Sequence, residues 1–212
     1  MNMSNTTLVY DFEGSRYVNL TNRCSMKCTF CPRTRGDYRI GDFDLKMPKN
    51  QPRPTAQDYI ELLGDVSNVN EVVFCGFGES TERLKPLLEI ATWCKEHGVT
   101  TRLNTNGHGR FYNKRCIVNE LKLCIDKMSV SLNAQTEELY NQHCVPRFRG
   151  AYKMMLDFCQ RCVNEGIYIE MSAIDGLEGV SISECETMAS NIGAKFKYRK
   201  LNLMIDKERT DV

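Results

Sequence analysis

The chain has 212 residues, of which 42% are hydrophobic and 26% are charged, and its formal net charge is +1. These values are ordinary for a globular protein with a sizeable core, and they exclude a strong overall field that would attract nucleic acid or a membrane. No run of 18 apolar residues and no basic leader followed by an apolar segment occurs, so we expect a cytoplasmic protein.

The first predicted strand, residues 17–20, leads into three cysteines spaced C-x3-C-x2-C: Cys24, Cys28 and Cys31. A loop of this length can wrap around one metal centre so that all three sulfurs converge. Residues 32–54 supply no fourth Cys or His. Three thiolates suit a [4Fe–4S] cluster that keeps one iron open. Structural zinc, which normally has four protein ligands, fits less well and stays an alternative.

A polar stretch from Thr34 to Pro54, interrupted by Pro and Gly, follows the cysteines and is too long for an ordinary connection. We expect it to shape or cover the entrance of a substrate site. Between Arg16 and Arg53 nine Lys and Arg residues stand against three Asp. Such a surplus is typical of a solvated loop, and equally of a segment that offsets an anionic cluster or receives an anionic ligand.

The rest of the chain alternates between predicted helices and strands. Thr55, with Asp58 three residues later, predicts the start of the first helix. Helices are expected at 55–66, 82–97, 113–124, 136–143, 149–164 and 181–192, and strands at 71–75, 99–105, 127–132, 167–173 and 195–201. With helical crossovers and no hairpin signal, the strands should pair in parallel. We therefore predict an α/β fold: a partial (βα)6 TIM-like barrel with a parallel six-stranded sheet and outer helices, in a single domain over residues 1–212.

Polar motifs follow four of the predicted strands. They are the cysteine loop, GFGES at 76–80, NTNG at 104–107 and SLNA at 131–134. Because the carboxyl ends of parallel strands meet at one edge, where ligands bind in folds of this kind, we expect these motifs to form one site.

Over residues 17 to 201 the sequence resembles the radical S-adenosylmethionine superfamily. The resemblance rests on the cysteine spacing, with Phe30 just before the last cysteine, and on Gly76-Phe77-Gly78-Glu79, a variant of the family's GGE motif. Phe77 stands where many relatives carry Gly. The segments YVNLTNRCSMKCTFCPR and VPRFRGAY are more narrowly similar to the small radical enzymes associated with TatD-type hydrolases.

The resemblance implies a [4Fe–4S] cluster on the three cysteines and bound S-adenosylmethionine, whose reductive cleavage yields a radical that takes a hydrogen atom from an unidentified substrate. It further implies an electron donor of the flavodoxin or ferredoxin type and a functional link to a TatD-type hydrolase. Glu79 would accept from the ammonium group of S-adenosylmethionine, and Asn133 stands where relatives carry Asp. No residue is assigned to catalysis. The cofactor contacts implied are Phe30, Gly76, Phe77, Gly78, Glu79, Asn104, Ser131, Asn133 and Arg199.

Two other functions stay open. The chain could be an activase that installs a glycyl radical on a partner protein, or an iron–sulfur binding or redox protein without radical chemistry. The GFGE turn argues against the latter, because electron transfer needs no methionine-binding turn. The eight other cysteines show no ligand spacing, and the stripe that contains Cys159 and Cys162 predicts a buried helix face. His108, just past the third strand, is either a substrate acid or base or a loop histidine without a role.

Overall fold

The computed structural model describes residues 6–201. The strands are β1 (Val9–Phe12), β2 (Ser15–Val18), β3 (Arg39–Ile40), β4 (Phe43–Asp44), β5 (Glu71–Phe74), β6 (Thr100–Thr105), β7 (Lys127–Ser131), β8 (Tyr168–Asp175) and β9 (Lys195–Lys200). The helices are α1 (Ala56–Leu63), α2 (Leu84–Glu96), α3 (Gly109–Asn113), α4 (Val118–Cys124), α5 (Glu137–Cys144), α6 (Ala151–Asn164) and α7 (Ile182–Ile192). None of the helices within residues 6–201 has the length and apolar composition of a membrane-spanning helix.

Seven strands form one sheet in the order β1-β2-β5-β6-β7-β8-β9. Every neighbouring pair from β2 to β9 is parallel, and at least one helix connects each parallel strand to the next. The predicted α/β fold, with a mostly parallel sheet and outer helices, is therefore confirmed.

The six predicted strands are present as parallel neighbours, and only the expectation of no hairpin is wrong, at one edge of the sheet. β1 pairs antiparallel with β2 through the two-residue turn Glu13-Gly14, whose φ angles are 48° and 76°. A turn with both residues in the left-handed region matches the twist of two paired strands. Gly14 adopts that region at no steric cost, whereas Glu rarely adopts it. The Glu-Gly pair was therefore not recognised as a hairpin turn in the sequence. The sheet thus has a seventh, antiparallel edge strand.

Local differences from the predicted elements also have physical causes. The stretch from Thr34 to Pro54 contains a small hairpin, because β3 and β4 pair antiparallel. The helix predicted at 113–124 is two helices, since Lys114 adopts a left-handed φ of 58° at the end of α3. The helix predicted at 82–97 begins as the 3-10 turn Ser80–Arg83 before α2. The start of α1 is as expected, with a reciprocal capping box between Thr55 and Asp58.

The two faces of the sheet differ in polarity. Side chains alternate between faces along each strand. One face lies beneath the helices and carries fully buried apolar residues such as Leu103, Val130 and Met171. The opposite face, here called the polar face, carries mostly polar and charged side chains, as the strand register requires. Its residues include Arg102, Asn104, Ser131, Ser172, Lys197 and Arg199.

Candidate functional site

The four polar motifs lie at the same edge of the sheet. The cysteine loop follows β2, the GFGE turn follows β5, the NTNG segment spans the end of β6, and the SLNA segment spans the end of β7. Because β2, β5, β6 and β7 are parallel neighbours, their carboxyl ends are adjacent. This edge is the candidate site.

The cysteine loop is held by main-chain contacts with the end of α5. Lys27 N–H donates to the Cys144 carbonyl at 3.1 Å, and Thr29 N–H donates to the His143 carbonyl at 2.9 Å. A bridge between Met26 and Pro146 continues the pairing. The loop is therefore fixed on both sides of Cys28 by residues 143–146, which are more than 110 residues away in the sequence.

The three predicted ligand cysteines share this loop. The neighbouring Cys144 thiol, together with burial, raises the pKa of Cys28. Burial raises the pKa of Cys24 to about 11 and also raises the pKa of Cys31. Across the described span, no group of three or more His, Cys, Asp or Glu side chains is placed to hold a metal.

Arg33, one of the nine basic residues between Arg16 and Arg53, is the basic neighbour of the cysteine loop. Burial is the largest influence on the thiols of Cys24 and Cys31, whereas the nearby Arg33 guanidinium lowers the pKa of both. One Arg33 amine donates to the Met26 carbonyl at 2.6 Å, and Nε is buried with no partner. A positive charge is thus fixed beside the thiols, as an anionic sulfur site requires.

The GFGE turn packs directly against the start of the cysteine loop. A Cβ at Gly78 would overlap the Thr21 carbonyl oxygen, and a Cβ at Gly76 would lie 2.6 Å from Asn19 Oδ1. Glu79 N–H donates to the Arg23 carbonyl at 2.8 Å, which joins the two segments. Gly78 is therefore required for the turn to approach the loop, and Gly76 leaves room for the Asn19 side chain.

The Glu79 carboxylate is buried, with only 2% of the residue exposed. Oε1 accepts from the Thr81 and Thr105 hydroxyls, each at 2.7 Å, and Oε2 accepts from Asn106 N–H at 2.8 Å. Burial raises the pKa of Glu79, and these donors act against that rise. The carboxylate joins the turn to the end of β6, and its contact with an ammonium group stays a prediction.

His108 is part of the buried support of the cysteine loop. Its Nδ1 is 2.9 Å from Ser25 Oγ, and its Nε2 is 3.1 Å from the Ala151 carbonyl. Burial lowers the pKa of His108 to about 4, so the ring is neutral at pH 7. The suggestion that this histidine reaches substrate as an acid or base is wrong, because the ring is fully buried and both nitrogens have partners.

Asn133 combines three unusual features. It is 1% exposed, its φ is 62°, and its Oδ1 is buried with no hydrogen-bond partner. Its Nδ2 donates to Cys144 Sγ at 3.3 Å, which places the side chain beside the thiol that raises the pKa of Cys28. A strained backbone and an unpaired buried acceptor at the edge of a site are typical of a residue that accepts a hydrogen bond from a bound ligand.

The remaining predicted positions are more dispersed. Phe30 is half-buried against the core, and Phe77 makes an edge contact with Tyr38 of the loop at 5.8 Å. Asn104 Oδ1 accepts from Arg102 at 3.1 Å, and Ser131 is half-buried on the polar face. Arg199 is exposed at the far edge of the sheet, on β9.

Cys75 connects two of these dispersed positions. Burial raises the pKa of the Cys75 thiol, while the neighbouring Asn104 amide and the charges of Arg102 and Arg199 lower it. Cys75 follows Phe74, which pairs with Leu103, so its side chain lies on the polar face with Asn104.

These features define an α/β protein with a thiol-rich site at the carboxyl edge of a mostly parallel sheet. Residues 18–192 match the family model described as the Radical SAM superfamily. The match covers most of the chain, so the chain belongs to the radical SAM superfamily. This is a family of enzymes whose cofactors are a [4Fe–4S] cluster and S-adenosylmethionine and which need a reductant, so those expectations are confirmed at the level of the family.

Solved structures support the fold. The chain is similar to Streptococcus suis SuiB bound to S-adenosylmethionine, with a TM-score of 0.64, 17% identity, and coverage of 87% of this chain and 40% of SuiB. It is also similar to methylornithine synthase PylB, with a TM-score of 0.59, 12% identity, and coverage of 87% and 52% respectively. TYW1 with a lysine-pyruvate adduct gives a TM-score of 0.58, 14% identity, and coverage of 88% and 64%. The chain thus spans less than two thirds of each relative. Among curated proteins no sequence matches.

The residues present fit the cofactors of the family. Three thiols in one half-buried loop beside the fixed charge of Arg33 match the donor set that an iron–sulfur cluster takes. The unpaired Asn133 Oδ1 is an acceptor that suits a hydroxyl donor such as a ribose.

Proposed function

We propose that this chain is a radical S-adenosylmethionine enzyme that removes a hydrogen atom from a polar substrate bound over the polar face. One observation carries the proposal. The cysteine loop of this superfamily member lies against the GFGE turn, joined to it by the hydrogen bond from Glu79 N–H to the Arg23 carbonyl. A site for the cluster and a site for the methionine end of the cofactor are therefore neighbours.

In this proposal Cys24, Cys28 and Cys31 hold the cluster, and Arg33 offsets its negative charge. The chemistry that the two cofactors supply when bound is one-electron cleavage of a carbon–sulfur bond and abstraction of a hydrogen atom. The protein fixes the loop through α5 and limits the access of water, since Cys28 is 8% exposed.

We assign Asn133 Oδ1 to a ribose hydroxyl, because it is a buried, unpaired acceptor at this edge, on a backbone with a φ of 62°. Glu79 Oε2, which has one donor, is the oxygen left for an ammonium group. Gly76 and Gly78 bring the main chain of the turn close to the loop. The other proposed cofactor contacts are Phe30, Phe77, Asn104, Ser131 and Arg199.

The charges of the polar face favour a substrate with an anionic group. Lys195, Lys197 and Arg199 alternate along β9 and share this face, since Phe196 between them packs against the core. Within residues 6–201 no ion pair joins any of the three to an acid, whereas Arg102 and Lys127 both pair with Glu71. In the described part of the chain these three cations form no ion pair, although Glu170 stands opposite Lys195 in the strand register, so an anion over β9 would meet cations that are not engaged by an acid. Charged side chains also protect edge strands from pairing with another chain, and β9 is an edge strand of the sheet.

The loop from Thr34 to Pro54 is proposed to cover this substrate space. Phe43 packs on Tyr10 of β1, with ring centroids 4.9 Å apart, and Tyr10 shares the polar face with Tyr17. Tyr38 contacts Phe77 at the site edge. The loop therefore reaches both the GFGE turn and the first strands of the sheet.

Three further proposals rest on the sequence. The segments around the cysteines and around VPRFRGAY support membership of the TatD-associated subgroup and a functional link to a TatD-type hydrolase. We also propose a flavodoxin or ferredoxin as the reductant. Finally, we propose that the chain is a single domain located in the cytoplasm.

The proposal is tested by anaerobic reconstitution with iron and sulfide, followed by electron paramagnetic resonance of the dithionite-reduced protein. We expect a [4Fe–4S] signal that changes when S-adenosylmethionine is added. Cys24→Ala should lose the cluster, whereas the matched control Cys159→Ala, which changes a fully buried core cysteine, should keep it. A cluster signal that does not change when S-adenosylmethionine is added would instead indicate a redox protein. A colourless protein that contains zinc would contradict the presence of a cluster.

A further inference from the structure

The side chain of Asn106 lies between the cysteine loop and the GFGE turn, and it is 5% exposed. Its Nδ2 is 3.5 Å from Cys24 Sγ and 3.2 Å from Ser25 Oγ. Its main-chain N–H donates to Glu79 Oε2 at 2.8 Å. Asn106 therefore contacts a predicted cluster ligand and the buried acid of the glycine-rich turn at the same time.

The orientation of this amide is fixed by its neighbours. His108 N–H donates to Asn106 Oδ1 at 2.9 Å. A main-chain N–H can only donate, so the atom that faces it must be the oxygen, and the amide cannot be flipped. The Nδ2 group must therefore face Cys24 and Ser25. The orientation of its hydrogen bond to the Cys24 sulfur is fixed by the contact between Oδ1 and His108 N–H.

We propose that Asn106 is a positioning residue for Cys24, to whose sulfur it donates an N–H hydrogen bond that raises the reduction potential of the cluster. The inference rests on the proposed function, since it concerns the same cluster. Hydrogen bonds to ligand sulfurs stabilise the more negative, reduced state, and partners behind the ligands commonly tune iron–sulfur sites.

Asn106→Asp is the sharpest variant. It keeps the size, the main-chain N–H to Glu79 and the oxygen that faces His108, but it replaces the donor at the sulfur with a negatively charged acceptor. Asn113→Asp is the matched control, because Asn113 Nδ2 also makes two hydrogen bonds, at 3.0 and 2.9 Å, and both go to main-chain carbonyls. Asn106→Ser removes the amide without adding charge.

The test is a redox titration of the reconstituted holoproteins, with iron content and thermal unfolding measured alongside. We expect Asn106→Asp and Asn106→Ser to have a lower midpoint potential than the parent, the Asp variant the lower of the two, and Asn113→Asp to match the parent potential. If Asn106→Asp fails to fold or to load, Asn106→Ser decides.

An unchanged potential in a fully loaded Asn106 variant overturns the inference, even where the variant is less stable. A lower potential in Asn113→Asp as well overturns it too, because the effect would then not depend on the sulfur contact. A parent chain that loads no cluster overturns the proposed function and this inference together, and that result is distinct from an unchanged potential.

Discussion

Gly78→Ala should disturb the site by separating two pieces of main chain. The added Cβ would overlap the Thr21 carbonyl oxygen and lie 2.6 Å from the Thr21 carbonyl carbon and 2.9 Å from the Arg23 oxygen. These atoms belong to the main chain, so no rotamer change relieves the contact, and the turn or the loop must move by about 1 Å. We expect a loss of about 3 kcal/mol in the free energy of unfolding, at the upper end of overpacking costs.

Gly109→Ala is the control for this prediction. Its Cβ would overlap Cδ1 of Ile117, the far end of a flexible side chain, and Gly109 begins α3. We expect a loss of about 1 kcal/mol or less. Urea unfolding of the two cluster-free variants measures the difference, and iron content after reconstitution should fall for Gly78→Ala only. Equal stability of Gly78→Ala and the parent would refute the close approach of the turn to the loop.

Three further predictions concern other parts of the chain. The pKa of His108 falls from 6.5 to about 4 on folding, so below pH 6.5 the unfolded state binds a proton that the folded state does not. Stability should drop by about 3 kcal/mol between pH 6.5 and 4, and His108→Gln should lack that component in urea titrations across this range. Thr55→Ala removes the capping box of α1 and should cost about 1 kcal/mol, and a cost near zero would contradict the cap. Inorganic phosphate should stabilise the parent and the Lys85→Gln variant against thermal unfolding in a saturable way, and this stabilisation should be lost in the double variant Lys195→Gln/Lys197→Gln. Equal stabilisation of the parent and both variants would contradict anion binding over β9.

The fold was predictable where the signal is local. The cap at Thr55 and the buried stripe with Cys159 and Cys162 depend on residues within one or two helical turns, and the structure agrees with both. The hairpin at Glu13-Gly14 was missed because a glutamate with a positive φ is stabilised by the pairing of β1 and β2, not by its own preference.

Only the motifs of the site, and through them the edge of the sheet where it lies, could be predicted from the sequence. The spacing of the cysteines and the GFGE turn identified the correct edge of the sheet. Cys144 and Asn106 were not found, because their importance comes from contacts with the cysteine loop, and Arg33 was recognised only as one of nine basic residues in this segment. In the NTNG segment the pattern selected Asn104, whereas Asn106 contacts Cys24. These two residues are on the same strand or just past it, and only packing shows which one faces the thiols.

The central claim is that this site cleaves S-adenosylmethionine. The most direct measurement is chromatographic quantification of 5′-deoxyadenosine and methionine from the anaerobically reconstituted chain with dithionite and S-adenosylmethionine. We predict that both products accumulate in equal amounts, and that Cys24→Ala yields neither while Cys159→Ala yields both. A fully loaded cluster that never releases 5′-deoxyadenosine would contradict the account.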